Sequence, residues 1–293
     1  TAYEISLGLV GSEMCIRDRI YNIVEKKKLD VVNNPIETSH GLPNECYTSE
    51  EYTKIERKKI FEDKWVVVGV ASSVPSIGDA KPFDLLGIPI IILRDKKNKI
   101  RVFHNVCSHR GYKLLQKNCK IKNVIRCPYH SWSYDTEGKL IATPHLGGMN
   151  KHNSVKFDKS KSNLKEIRSS VWLDLIFVNI SNNEISFDKY IKPLSDRWEK
   201  FWPEKDRKLM VYSNDFGYFN LNAKCNWKFA IENYCESYHL PWVHPGLNSY
   251  SKISDHYHIQ GLPNRFAGQG TKVYNPKLKG CLLYTSPSPR DRG

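Results

Sequence analysis

The stretch Asn105–Leu140, NVCSHRGYKLLQKNCKIKNVIRCPYHSWSYDTEGKL, decides the fold. It holds Cys107-x-His109, seventeen intervening residues, and then Cys127-x-x-His130. Two short loops, each offering one thiolate and one imidazole, suit a two-iron cluster in which Cys ligates one iron and His the other. A structural zinc site also accepts two Cys and two His. Zinc knuckles, however, generally pair Cys with Cys and His with His, whereas here the types alternate. On either side lie β-branched runs, Trp65–Val70, Ile88–Arg94 and Lys99–His104, broken at Gly78-Asp79 and Asp95–Asn98. Val171–Ile180 (VWLDLIFVNI) reads as one further strand, giving a small all-β domain over residues 62–180.

The residues around these donors carry a resemblance. His109-Arg110-Gly111 and Tyr129-His130-Ser131-Trp132-Ser133-Tyr134-Asp135 resemble the CxHRG and CPYHGWxYD loops of Rieske non-haem iron oxygenases, with Ser131 where Gly is usual. Respiratory Rieske proteins add a cysteine pair bridging the loops. Here position 108 is Ser and position 129 is Tyr.

A cluster alone would make an electron carrier, so the segment after it matters. Asn226–His244 reads NWKFAIENYCESYHLPWVH. Asn226 can cap a helix whose early turns hold Trp227, Phe229, Ala230 and Ile231, an apolar set suited to packing. Glu232, Glu236 and His239 fall on one face of that helix. His244 follows His239 by five residues, which on an unbroken helix points it roughly 140° away. Pro241 is expected to bend the chain and let both imidazoles converge on one metal. Two His and a carboxylate with open positions form the facial triad of mononuclear iron oxygenases. A carboxylate between two histidines also orients their rings.

The string ExxYHxxxxHP is similar to the catalytic-iron motif of Rieske oxygenase large (alpha) subunits, and the match covers essentially all of residues 40–280. That resemblance implies a [2Fe–2S] cluster on Cys107, His109, Cys127 and His130, and mononuclear Fe(II) on His239 and His244. It implies that Glu236 bridges to the cluster of a neighbouring subunit, and that Asn233 lines the iron pocket. The expected fold class is α+β: an all-β Rieske domain, then the first part of an α+β helix-grip (START/Bet v1-like) catalytic domain. In the family the third iron ligand is usually an Asp well downstream of the two His, and it is expected to be missing here because the adaptor-like end comes first. Asp255 is the nearest carboxylate after His244, and as written the chain is expected to turn over little substrate.

The implied activity is that of a terminal oxygenase. NAD(P)H electrons arrive through a separate reductase, with or without a ferredoxin, and O2 is activated to hydroxylate a small organic substrate of the aromatic-ring type. Glu236, where ring-hydroxylating dioxygenases carry Asp, resembles the carnitine, choline and glycine betaine monooxygenases, so a quaternary-ammonium monooxygenase or demethylase is the alternative. Tyr234, Tyr238 and Trp242 lie near enough to cage a cation, and can equally be core. An electron-transfer Rieske protein, the reading from another class, leaves the His pair without a purpose. The family resemblance also implies a homotrimer, with or without a β subunit.

Composition agrees with a globular protein: 293 residues, 40% hydrophobic and 26% charged. Net charge is +14, but its lysines are dispersed, and no basic block interleaved with aromatics suggests nucleic-acid binding. No apolar run approaches the roughly 20 residues of a membrane span. Reduced cysteines and a cytoplasmic setting are expected, Cys46, Cys119, Cys225 and Cys235 being structural. The ends stand apart. Cys281–Asp291 (CLLYTSPSPRD) can be encoded by a DNA string whose reverse complement encodes Leu9–Asp18 (LVGSEMCIRD), and that string resembles a transposase sequencing adaptor. Residues 1–19 and 281–293 are therefore expected to be adaptor-derived, leaving a helical segment 20–61, the Rieske domain 62–180 and a partial catalytic domain 181–280.

Overall fold

The computed structural model describes residues 20–272 except 36, 155, 201, 210–221, 250, 263 and 264. In chain order its elements are α1 (Lys26–Asp30), α2 (Glu45–Thr48) and α3 (Glu50–Glu56), the last continuing as a π-helical stretch to Glu62. Then come β1 (Val66–Val70), β2 (Asp79–Leu85), β3 (Ile88–Arg94), β4 (Ile100–His104), β5 (Cys119–Lys120), β6 (Ile125–Arg126), β7 (Ser133–Tyr134), β8 (Leu140–Ala142), β9 (Glu166–Trp172) and β10 (Leu175–Asn179). After these lie α4 (Phe187–Glu199), α5 (Glu204–Arg207), α6 (Trp227–Cys235), α7 (Leu240–Val243), α8 (Pro245–Asn248), β11 (Tyr257–Leu262) and β12 (Phe266–Gly270). The chain divides into two compact units, one of residues 55–219 and one of residues 1–54 with 220–293. No helix among the described residues is long and apolar enough to cross a membrane.

The first unit is built on an antiparallel seven-stranded sheet, ordered β1-β10-β9-β4-β3-β2-β5, and a three-stranded sheet β6-β7-β8. β3 is apolar at nearly every position because both its faces are covered. Ile91 and Leu93 join Phe103, Cys107, Cys127, Trp132 and Tyr134 in one core, while Ile90 and Ile92 join Val102, Ile167, Ile176 and Val178 in the other. All four β3 side chains are fully buried, each contributing about 1.5–3 kcal/mol. The first core reaches the two cysteines, so the sheet is the floor on which the loops stand.

One expected strand is two. The run Val171–Ile180 turns at Leu173-Asp174, where φ is 53° and 63°, and Trp172 pairs with Leu175 across a two-residue turn. Positive φ at both central residues defines the turn that matches strand twist, and it is usually signalled by Asn-Gly. A Leu in that position concealed it. The Asp174 carboxylate accepts the Ser72 N–H at 3.1 Å and its carbonyl accepts that of Ala71 at 2.8 Å, tying the hairpin to the end of β1.

In the second unit α6 begins where the sequence places it, with the Asn226 side chain accepting the Lys228 N–H at 3.1 Å. Of the apolar set expected to pack, Trp227 is half-buried, while Phe229, Ala230 and Ile231 are exposed. Phe229 and Ile231 are 50% and 53% exposed, and the buried residue of the helix is Lys228. A Tyr47 ring stacks on Phe229, centroids 4.7 Å apart, and covers part of it.

Candidate metal centres

The two loops of the first unit share one backbone design. Cys107 N–H donates to the Tyr112 carbonyl five residues on, and the Gly111 N–H returns to the Cys107 carbonyl. Cys127 N–H likewise donates to the Trp132 carbonyl, and Ser131 N–H returns to that of Cys127, all at 2.8–2.9 Å. Closing such a loop needs a left-handed residue. Gly111 (φ 68°) supplies it in one loop and Ser131 (φ 57°) in the other.

The loops divide their donors by depth. Cys107 and Cys127 are 2% exposed and free of disulfides, whereas His109 is half-buried and His130 exposed. The imidazoles lie against each other, ring centroids 4.8 Å apart at 71°. His109 also stacks on Trp132 at 4.6 Å. Burial raises the Cys107 thiol, with Cys127 alongside it. Burial, the His130 ring and Arg110 together push His109 down, favouring the neutral imidazole that can ligate metal. Among the described residues no three His, Cys, Asp or Glu side chains stand close enough to share a single ion. An inner thiol pair and an outer imidazole pair are the donor sets that a cluster with unlike irons needs, and the residues fit it.

A hydroxyl not singled out in the sequence completes this centre. Tyr134 Oη lies 3.2 Å from Cys107 Sγ and 2.8 Å from Ser108 Oγ, and the Ser108 N–H donates to it at 3.1 Å. Burial raises the Tyr134 phenol far above its ordinary value, so it remains protonated. The available signal was the Ser133-Tyr134 strand pair inside the motif. A cavity of about 550 Å³ beside His130 is lined by Arg126, Ser131, Ser133 and His145.

In the second unit the helix breaks earlier than expected. α6 ends at Cys235, and Glu236 caps it in extended geometry, φ −110° and ψ 148°. Pro241 therefore does not bend α6. It lies in the first turn of α7, where its missing N–H costs nothing. Glu236 and His239 share no helical face but meet across a tight turn: Glu236 Oε2 accepts the His239 N–H at 3.2 Å, and Oε1 contacts His239 Nδ1. The bond to the His239 ring holds the Glu236 carboxyl below the usual range. The His239 and His244 rings are brought together, centroids 5.4 Å apart at 76°. With Nδ1 engaged, His239 keeps Nε2 for a metal. Two imidazoles fit part of an iron site; Asp255 does not join them in any metal-holding group among the described residues. Asn233 is exposed and has no described hydrogen-bond partner. Tyr234, Tyr238 and Trp242 are 75–78% exposed, so they build no cage in this structure.

Comparison with known proteins agrees with this division. Residues 64–155 match the Rieske [2Fe-2S] domain, and residues 212–285 match the ring hydroxylating alpha subunit catalytic domain. The chain belongs to the Rieske oxygenase alpha subunits. Within that family it is 30% identical over 236 residues to the carnitine monooxygenase oxygenase subunit of Acinetobacter pittii, covering 80% of this chain and 60% of that one. It is 30% identical over 205 residues to the 2-aminobenzenesulfonate 2,3-dioxygenase alpha subunit of an Alcaligenes species, covering 70% and 50%. A solved structure of a quaternary ammonium Rieske monooxygenase superposes with a TM-score of 0.61 at 27% identity, over 72% of this chain and 55% of that one. The chain thus spans about half to three fifths of the length of the curated relatives it matches.

Proposed function

We propose that the protein carrying this chain is the terminal component of a Rieske oxygenase, taking electrons from a separate reductase and spending them on O2 to hydroxylate a small organic substrate. The observation that carries this reading is the pair of donor sets in one chain: the Cys107/His109/Cys127/His130 loops and the His239/His244 pair with Glu236 on His239. Bound there, a [2Fe–2S] cluster supplies one-electron transfer and ferrous iron supplies oxygen activation. The chain's own part is positional. The paired loops bury the thiols and leave the His109 and His130 edges outward for an electron to leave by. Glu236 fixes the His239 ring through Nδ1 and keeps an oxygen of its own near that ring, suiting it to bridge toward a cluster imidazole of a neighbouring chain. The related solved structure is described in terms of inter-subunit electron transfer, which supports assigning the bridge between copies. A homotrimer, with or without a β subunit, and a ferredoxin alongside the reductase belong to the same proposal, as does a cytoplasmic location. Asn233 is assigned to the iron pocket by motif position.

For the substrate, an aromatic ring is the reading of the catalytic family and of the Alcaligenes relative's name. Glu236 and the Acinetobacter relative's name favour a quaternary ammonium compound. The test is O2 uptake by the whole protein with a suitable reductase, offered aromatic acids in one series and trimethylammonium compounds in the other. Uptake that follows one series and disappears in His239→Ala and His244→Ala, with the cluster's visible absorbance kept, supports the proposal. Substrate-dependent uptake that survives both substitutions overturns it.

A further inference from the structure

The second unit contains a cation held by aromatic faces, and it lies at the start of the helix that leads to Glu236. Lys228 is 7% exposed. Its Nζ stands 5.3 Å from the Tyr47 ring centroid, 5.6 Å from Tyr52 and 5.3 Å from Trp227. Burying an ammonium is costly unless its surroundings compensate, and aromatic faces attract it through their quadrupoles. Tyr47 does more than flank the cation. Its ring stacks on Phe229, its carbonyl accepts the Asn226 Nδ2–H at 3.0 Å, and its hydroxyl donates to Glu232 Oε1 at 2.6 Å. The α2–α3 segment therefore grips α6 at residues 226, 228, 229 and 232. One turn later the Glu232 carbonyl accepts the Glu236 N–H at 3.1 Å, the last bond of the helix.

We infer that Lys228, gripped by Tyr47 and Tyr52, is a positioning residue that sets the height and rotation of α6 and thereby aims Glu236 and the His239 ring it holds. The inference rests on the oxygenase reading above. α6 has nine residues, with Phe229 and Ile231 about half exposed and Tyr234 75% exposed; its side-chain anchors lie on its first turns, and near its end Gln269 Nε2 donates to the Tyr234 carbonyl. Lys228 acts on the proposed iron site through the helix that carries it.

The test uses the whole holoenzyme with reduced cluster, substrate and O2, and follows cluster reoxidation in a single turnover. In Lys228→Met the cation is lost with much of the side-chain volume kept. Reoxidation is expected to slow about tenfold, with the cluster's absorbance and KM unchanged. Lys228→Arg restores the cation and is expected to recover most of the rate, which a purely volumetric role would not require. Should Lys228→Met fail to fold, Tyr47→Phe removes the bond to Glu232 while keeping the ring, and is expected to slow the same step about threefold. Wild-type reoxidation in Lys228→Met, or an Arg variant no better than Met, overturns the inference while a dead Glu236→Gln leaves the oxygenase reading standing. Wild-type turnover in both Glu236→Gln and His239→Ala removes the reading itself.

Discussion

Ser131 adopts the left-handed conformation of its counterpart Gly111, φ 57° against 68°, and each N–H closes onto the carbonyl of the cysteine four residues before it. The second loop thus carries a side chain where its twin has none. The left-handed region costs a non-glycine residue about 1–2 kcal/mol, partly offset because Gly loses more freedom on folding. Ser131→Gly is expected to raise stability by up to about 1 kcal/mol, and Ser131→Val to lower it by about 2 kcal/mol with earlier loss of the cluster. Thermal melts followed at the cluster's visible band compare the three; a Val variant melting with the parent would contradict the loop design.

Tyr134 predicts a redox effect. The Tyr134 hydroxyl lies 3.2 Å from Cys107 Sγ, and toward an iron-bound thiolate, which can only accept, it would donate and favour the electron-rich, reduced cluster. Removing it in Tyr134→Phe is expected to lower the midpoint potential by about 50 mV, the one-electron equivalent of a net hydrogen-bond contribution of about 1 kcal/mol. A redox titration reads the shift directly, and an unchanged or raised potential would speak against the assignment.

Asp95 predicts acid sensitivity in the first unit. Burial alone would raise its carboxyl, but Arg101 at 2.7 Å and the Lys97 and Lys99 N–H groups at 2.9 Å outweigh that, and the net shift is downward. A folded value below the unfolded one contributes stability that is present above the ordinary Asp range, about pH 4, and is lost as pH falls through the folded value. Asp95→Asn is therefore expected to cost about 3 kcal/mol at pH 7, and progressively less below about pH 4. Urea unfolding across pH measures this; a cost that stays constant with pH would show that charge is not its origin.

Sequence alone disclosed the parts of this molecule whose chemistry is local. The alternating Cys and His donors of each loop, the apolar β3 run and the Asn226 cap are each written within a few consecutive residues. Contacts across the chain were hidden: nothing near Lys228 indicates that Tyr47 will cover it, and the Tyr47–Glu232 bond spans 185 positions. Local exceptions misled as well. Leu173 in a left-handed turn concealed a hairpin, and attention to Pro241 missed the earlier break at Glu236, where the backbone becomes extended to bring the carboxylate to His239.

The central claim is that Glu236, held on His239, bridges the two proposed centres as the path for the electron. The most direct measurement is the rate at which reduced cluster is reoxidised by O2 and substrate in Glu236→Gln. The account predicts an intact reduced-cluster EPR signal that persists, with reoxidation slowed about ten- to a hundredfold. Reoxidation at the parent rate would contradict it.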